Sequence, residues 1–345
     1  MSRSLTATED ALPARTRAAL DAAVEFLRRR QFPNGEFEIL QCWDEALTRE
    51  YGPDNCIFPT AQIAYSLSFW PPAQAIMARA QRFLIAERDS HGLWKHCAGQ
   101  PRGYAFLPPD VDDTCCALAV LPGEDVGSAR QLVLANRDRN GLFYTWFAPR
   151  FRWTGVLHLK VTLPQLRHLR TLRTLFRLTL PRRDDVDAVV NANVLHYLRD
   201  FPGRGAVVEH LLEILRHGRE SQCDKYYAYP YVTWYFFSRA LSDIPEATEA
   251  IIERLDASAP ANPFEQALAI CALLNCGRAA SPAAIERLVV AQSPDGSWPR
   301  AMFYCGGRQG KGETFGPLSL PFWGSEELTT AFCVEALARS LPANP

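Results

Sequence analysis

Hydrophobic positions recur along the chain with a helical period, in two alternating kinds of stretch. One kind keeps a polar face and covers about 14–31, 73–88, 126–136, 206–218, 246–257 and 281–292, as in LDAAVEFLRRR and IERLVVAQ. The other is rich in Ala, Leu, Cys and aromatics on nearly every face and covers about 59–70, 111–121, 187–199, 229–242, 263–276 and 325–339. A striped helix lies on a surface, whereas one that is apolar all round is enclosed by neighbours. The alternation therefore predicts six outer–inner helix hairpins. Such hairpins close into an all-α fold, an α/α toroid. Its parallel inner helices surround a central cavity, with their N-termini at one end. An open solenoid is the competing arrangement, and the uniformly apolar inner helices favour closure.

Polar turns punctuate the hairpins. QFPNGEF (Gln31 to Phe37), ERDSHGLW (Glu87 to Trp94), NRDRNGLF (Asn136 to Phe143) and QSPDGSW (Gln292 to Trp298) each place an aromatic two residues after a Gly. The glycines at 35, 92, 141 and 296 are 57, 49 and 155 residues apart. The last interval is about three steps, so two turns have degenerated within it. Gly supplies the left-handed conformation that ends the outer helix. The aromatic is expected to lie back over the helix end, and the Gln or Asn to hydrogen-bond exposed carbonyls. The device is structural and takes no catalytic role.

The composition sharpens this picture. Of 345 residues, 48% are hydrophobic and 22% charged, enough for a large core and incompatible with general disorder. One domain spanning 1–345 is expected, with a basic insertion at about 146–183. Lys and Arg number 37 against 38 Asp and Glu, a net charge of −1, which argues against a nucleic-acid partner. No apolar run has bilayer length, and the N-terminal segment does not read as a secretory signal. A cytoplasmic protein is expected, with its ten cysteines as free thiols. No Cys or His spacing points to a metal site.

Chemistry concentrates at the start of the second inner helix, PPDVDDTCCALAVL. Asp110 suits the N-cap, and Asp112 and Asp113 fall in the first turn. Acids at a helix start complement its dipole, but three within four residues at the cavity end exceed what capping needs. Crowded carboxyls in a low-dielectric pocket cannot all ionise, so one keeps its proton. A protonated carboxyl facing aromatic walls suits protonation of an alkene or epoxide, with the resulting cation stabilised by ring faces.

PDVDDT, together with QSPDGSW, resembles the class II terpene cyclases, squalene–hopene cyclase most closely. That family carries a D-x-D-D-T acid motif and Q-x-x-x-G-x-W turns on α/α barrels. The resemblance implies that Asp112 donates the proton and that Asp110 and Asp113 support it. It implies a linear isoprenoid substrate, either a prenyl diphosphate or a neutral polyprene. No cofactor is required, and Mg²⁺ enters only with a diphosphate head group. The chain departs from the family in three ways. It has room for one barrel where squalene–hopene cyclases have two. Phe37 and Phe143 stand for Trp, and Glu87 and Asn136 for Gln. The D-D-x-x-D motif of diphosphate ionisation is absent, and RRDDVDAVV does not match it.

Further candidates surround the acid motif. The related cyclases use a His near the acid, and His196 is the candidate partner here. Asn191 either orients the acid, binds a substrate oxygen or satisfies buried backbone. Tyr231, Trp234 and Tyr235 share one face of inner helix four and are candidates for cation stabilisation. Arg308 and Lys311, in FYCGGRQGKGETFG, are candidates for anion binding. From Arg150 to Arg183 there are nine Lys or Arg and no acid, and Leu166, Leu169, Leu172 and Leu175 alternate with Arg167, Arg170, Arg173 and Arg177. This pattern suits monotopic contact with the inner face of a membrane; equally, the Leu row could pack on the barrel. Two other functions fit the architecture: a non-catalytic toroid that binds a lipid or a partner subunit, and a prenyltransferase-like enzyme.

Overall fold

The computed structural model describes residues 11–99, 107–121, 123, 127–150, 155–178, 182–227, 229–306 and 321–342. The outer stretches form α1 (Ala11–Arg30), α3 (Gln74–Glu87), α5 (Gly127–Ala135), α9 (Arg204–Arg216), α11 (Pro245–Asp256) and α13 (Pro282–Val290). The inner stretches form α2 (Ile57–Leu67), α4 (Val111–Val120), α8 (Ala188–Leu198), α10 (Pro230–Ala240), α12 (Pro263–Asn275) and α14 (Glu326–Ser340). Each inner helix packs on the next in this order, and α14 packs on α2, so the six form a closed ring. Enclosure accounts for their composition: every residue of α10 from Tyr231 to Ala240 is buried.

The Gly turns join this ring to the outer helices. Gly35, Gly92, Gly141 and Gly296 have φ of 98°, 80°, 89° and 94°. A Cβ on Gly35 would lie 2.2 Å from the Arg79 carbonyl oxygen in α3, and one on Gly296 would lie 2.3 Å from that of Ala22 in α1. The last turn thus abuts the first outer helix. The aromatics lie back as expected: the Trp94 indole donates to the Leu84 carbonyl at 2.7 Å, and that of Trp298 to Leu288 at 2.8 Å. The glutamines hydrogen-bond carbonyls as expected, but not those at the end of their own helix. Gln31 Nε2 donates to the carbonyl of its own Gly35 and to that of Ile76, at 2.9 and 3.0 Å. Gln292 does the same with Gly296 and Ala19, at 3.0 and 2.8 Å. Each Gln therefore bridges neighbouring hairpins instead of capping its own helix.

The all-α expectation needs one correction. A four-stranded antiparallel sheet of order β2-β1-β4-β3 is built from β1 (Ile39–Cys42), β2 (Glu50–Asp54), β3 (Tyr304–Cys305) and β4 (Phe322–Gly324). Strands this short carry too little alternation to register as a pattern. Pairing of β1 with β4 ties the first hairpin to the last on the side where the inner helices begin. Between α5 and α8 the chain forms α6 (Val156–Thr162), a 3₁₀ helix (Leu163–His168) and α7 (Leu169–Leu178). None of the ten cysteines is in a disulfide. Among the described residues no helix is long and apolar enough to cross a membrane.

Candidate active site

Asp110 is the N-cap of α4, and its Oδ1 accepts from the backbone N–H of Asp112 and Asp113 at 2.6 and 3.3 Å. The cap starts the helix and aims the next carboxylates inward. Asp112 is only 6% exposed. Its Oδ1 accepts from Asn193 Nδ2 at 2.7 Å, and its Oδ2 from the Tyr227 hydroxyl at 2.6 Å. Burial pushes its pKa up to about 7, against the pull of those two hydrogen bonds. Burial, with Asp113 and Asp112 close by, also holds Asp110 well above the usual carboxylate range. Asp113 Oδ2 lies 3.8 Å from His96 Nδ1.

Asn193 is itself held. Arg239 Nη2 donates to its Oδ1 at 2.7 Å, and the guanidinium lies 4.4 Å over the Tyr65 ring. A guanidinium can only donate, so the Asn193 oxygen must face Arg239 and its NH₂ must face Asp112. A second buried acid pair lies at the start of α8. Asp187 Oδ2 accepts from the Thr145 hydroxyl at 2.5 Å, and Asp224 Oδ2 accepts from the Val189 N–H at 3.0 Å. Burial raises the pKa of Asp187 to about 6 and that of Asp224 well above the usual range, the latter with help from Asp187.

Several candidates sit elsewhere than expected. Asn191 does not meet Asp112. Its Oδ1 accepts from Phe143 N at 2.8 Å, the task performed by Thr60, Thr114 and Thr330 for Phe37, Trp94 and Trp298, each at 3.1 Å. It clamps a turn to an inner helix, and Asn193 two residues on holds the acid. His196 lies against the Arg239 carbonyl at 3.3 Å and the Tyr65 ring at 5.6 Å, not against the acid motif. Burial, then the Arg239 charge, pushes its pKa down to about 3. His96 takes the place beside the carboxylates. The sequence reading missed it because it lies in a connection, two residues past Trp94, with no periodic signal.

The predicted aromatic face divides. Trp234 donates to Glu220 Oε1 at 3.3 Å and packs edge-on with Tyr231 at 5.1 Å, beside the turn after α9. The Tyr235 hydroxyl donates to Glu335 at 2.9 Å. The rings around Phe303 are Phe58, Tyr227, Phe236, Phe264 and Phe332, with centroids 5.3–6.1 Å from its own, and Tyr235 packs edge-on against two of them, Phe236 and Phe332, at 5.3 and 5.2 Å. Phe303 is fully buried and fills the space they surround, where the sequence predicts a hollow. Tyr227 joins this group to Asp112. Arg308 and Lys311 lie outside the described residues.

No family model matches the chain. Drimenol cyclase drtB of Aspergillus calidoustus is 25% identical over 274 residues, which are 74% of this chain and 43% of that protein. The chain thus spans under half of that relative's length. Among solved structures, a protein from Actinoplanes superposes with a TM-score of 0.70 at 19% identity, covering 94% of this chain and 99% of the other. Type II terpene cyclase MstE from Scytonema, in complex with its substrate geranylgeranyl dihydroxybenzoate, gives a TM-score of 0.70 at 16% identity, covering 96% of this chain and 99% of MstE. The fold is that of a type II terpene cyclase. MstE is matched over nearly its whole length, so this fold occurs in a chain of similar size.

Proposed function

We propose that the protein is a class II terpene cyclase with a single α/α toroid as its one domain. Asp112 protonates the terminal alkene or epoxide of a linear isoprenoid. At an alkene, the carboxyl O–H breaks, a C–H bond forms and a tertiary cation results. Neighbouring double bonds close rings onto that cation, and loss of a proton or capture of water ends the sequence. Asn193 and Tyr227 stabilise the carboxylate left behind, and the interior rings stabilise the cation. The observation that carries this reading is Asp112 itself: buried, titrating near 7 and joined through Tyr227 to an aromatic interior. A drimenol cyclase relative and a geranylgeranyl-bearing substrate in MstE support a prenyl chain as the substrate. Proton transfer needs no cofactor, and Mg²⁺ would accompany a diphosphate head group. Contact with the inner face of a membrane through 155–178 would bring such a lipid to a cytoplasmic enzyme.

The test is incubation with farnesyl diphosphate, geranylgeranyl diphosphate and a neutral polyprene, followed by product analysis. Cyclic products are expected from the native protein and none from Asp112→Asn. Turnover by Asp112→Asn equal to the native rate would falsify the donor role. The packing of Phe303 favours one competing reading, a non-catalytic toroid, which predicts no product from any of the three.

A further inference from the structure

Asp54 ends β2, Cys56 precedes α2 and His96 lies in the connection before α4, yet each brings a donor atom within 4.8 Å of the others. Backbone pairing fixes this meeting. Ile57 N donates to the His96 carbonyl at 3.0 Å, Ala98 N donates to that of Asn55 at 2.9 Å, and Cys56 and Cys97 form an antiparallel bridge. Cys56 Sγ lies 3.2 Å from Asp54 Oδ2 and 3.4 Å from His96 Nε2. Ligands of one tetrahedral zinc, at about 2.3 Å for sulfur and about 2.0–2.1 Å for nitrogen or oxygen, stand about 3.5 Å apart.

We propose that Asp54, Cys56 and His96 bind one zinc ion. Thiolate, imidazole and carboxylate together are a zinc set, and three protein ligands leave a fourth position open. The surroundings match those of ligating groups. His96 turns Nε2 toward the group, while Nδ1 faces the Asp113 carboxylate at 3.8 Å. The Asp54 carboxylate accepts from the Trp323 indole at 2.9 Å and from the Gln41 amide. The Tyr304 hydroxyl is buried beside Cys56. On binding, Cys56 gives its proton to solvent, and His96 is fixed with Nδ1–H toward Asp113.

The experiment is metal analysis of the full chain, purified without added chelator, followed by titration of chelator-treated protein with Zn²⁺ and Co²⁺. One zinc per chain is expected, with a thiolate-to-cobalt charge-transfer band. Cys56→Ser and Asp54→Asn should each weaken Zn²⁺ binding at least tenfold, whereas Cys97→Ser, next to the group but outside it, should bind as the native chain does. Thermal melting of the metal-free variants checks that they fold. Native protein that takes up no Zn²⁺, or equal uptake by native, Cys56→Ser and Asp54→Asn proteins, overturns the site and leaves the three residues as a hydrogen-bonded chain.

Discussion

Replacing Tyr227 with Phe tests the electrostatics of the acid without disturbing its packing. The ring keeps its contacts with Phe58, Phe236 and Phe303, and only the hydroxyl bonded to Asp112 Oδ2 is lost. A hydrogen bond to a charged group contributes about 1.5–3 kcal/mol, and about 1.4 kcal/mol moves a pKa by one. The lost bond favours the carboxylate, so its removal raises the Asp112 pKa from about 7 by roughly one to two. The donor works only when protonated. Activity should therefore fall as pH rises through about 7 in the native enzyme, and through roughly 8 to 9 in Tyr227→Phe, with a lower plateau from the weaker acid. The assay is the pH profile of kcat/KM on a prenyl substrate. A limb that stays put, or moves down, refutes the reasoning. Stability gives an independent check. A carboxyl titrating at about 7 when folded, against 3.8 ordinarily, stabilises the fold at low pH, and that stabilisation is lost as pH rises toward 7. Asp112→Asn removes the burden and should be more stable at alkaline pH, by at most roughly 4 kcal/mol in chemical denaturation.

Four further outcomes are expected. Asn191→Ala should cost about 1–3 kcal/mol by orphaning the Phe143 N–H, while Asn191→Thr, matching Thr60, Thr114 and Thr330, should restore stability; in both, turnover per folded molecule should stay native. Gly296→Ala should lower stability by roughly 2 kcal/mol or more, since the new Cβ meets the Ala22 carbonyl and φ is positive; an unchanged melting temperature would refute the close-approach argument. Phe303→Ala should lose about 3–5 kcal/mol of stability yet change the ring pattern or chain length of the products, read by mass spectrometry. Leu163 and Leu166 are 52% and 46% exposed and, with Leu169, eclipse one another at 3₁₀ spacing beside Arg167 and Arg170. Leu163→Ser with Leu166→Ser, or Arg167→Glu with Arg170→Glu, should abolish co-sedimentation with phosphatidylglycerol vesicles, which neutral phosphatidylcholine vesicles should not support in any form.

The helices were legible because enclosure leaves a mark on composition. A stretch such as YVTWYFFSRA has no polar face, and only a ring of neighbours accommodates it. The acid motif was legible because three carboxyls in one turn exceed what a helix start requires. What failed were assignments within a helix. Asn191 and Asn193 differ by two positions, about 200° around the axis, and only the register of α8 against α4 decides which meets Asp112. The same holds for α10, where Phe236, not Trp234, turns inward. His96, Tyr227 and Cys56 lie in connections and Asp54 ends a short strand, where periodicity carries no information and tertiary hydrogen bonds bring groups together. The Leu row divided likewise: Leu172 is buried against the protein, while Leu163 and Leu166 face outward.

Among the three motif carboxyls the geometry also separates roles. Asp110 spends Oδ1 on two backbone N–H groups at the start of α4, and burial with the neighbouring Asp113 and Asp112 outweighs them and holds its pKa well above the usual range. Asp113 has the His96 imidazole as its neighbour, with Nδ1 3.8 Å from its Oδ2. Asp112 alone sits between a neutral amide and a phenol, each supplying one hydrogen bond and neither supplying a full charge. Burial then outweighs those two hydrogen bonds and lifts its pKa to about 7. Arg239 acts from one residue away: it orients the Asn193 amide without touching the acid, so in the proposed reaction Asp112 would be stabilised after donation without a cation in direct contact before it.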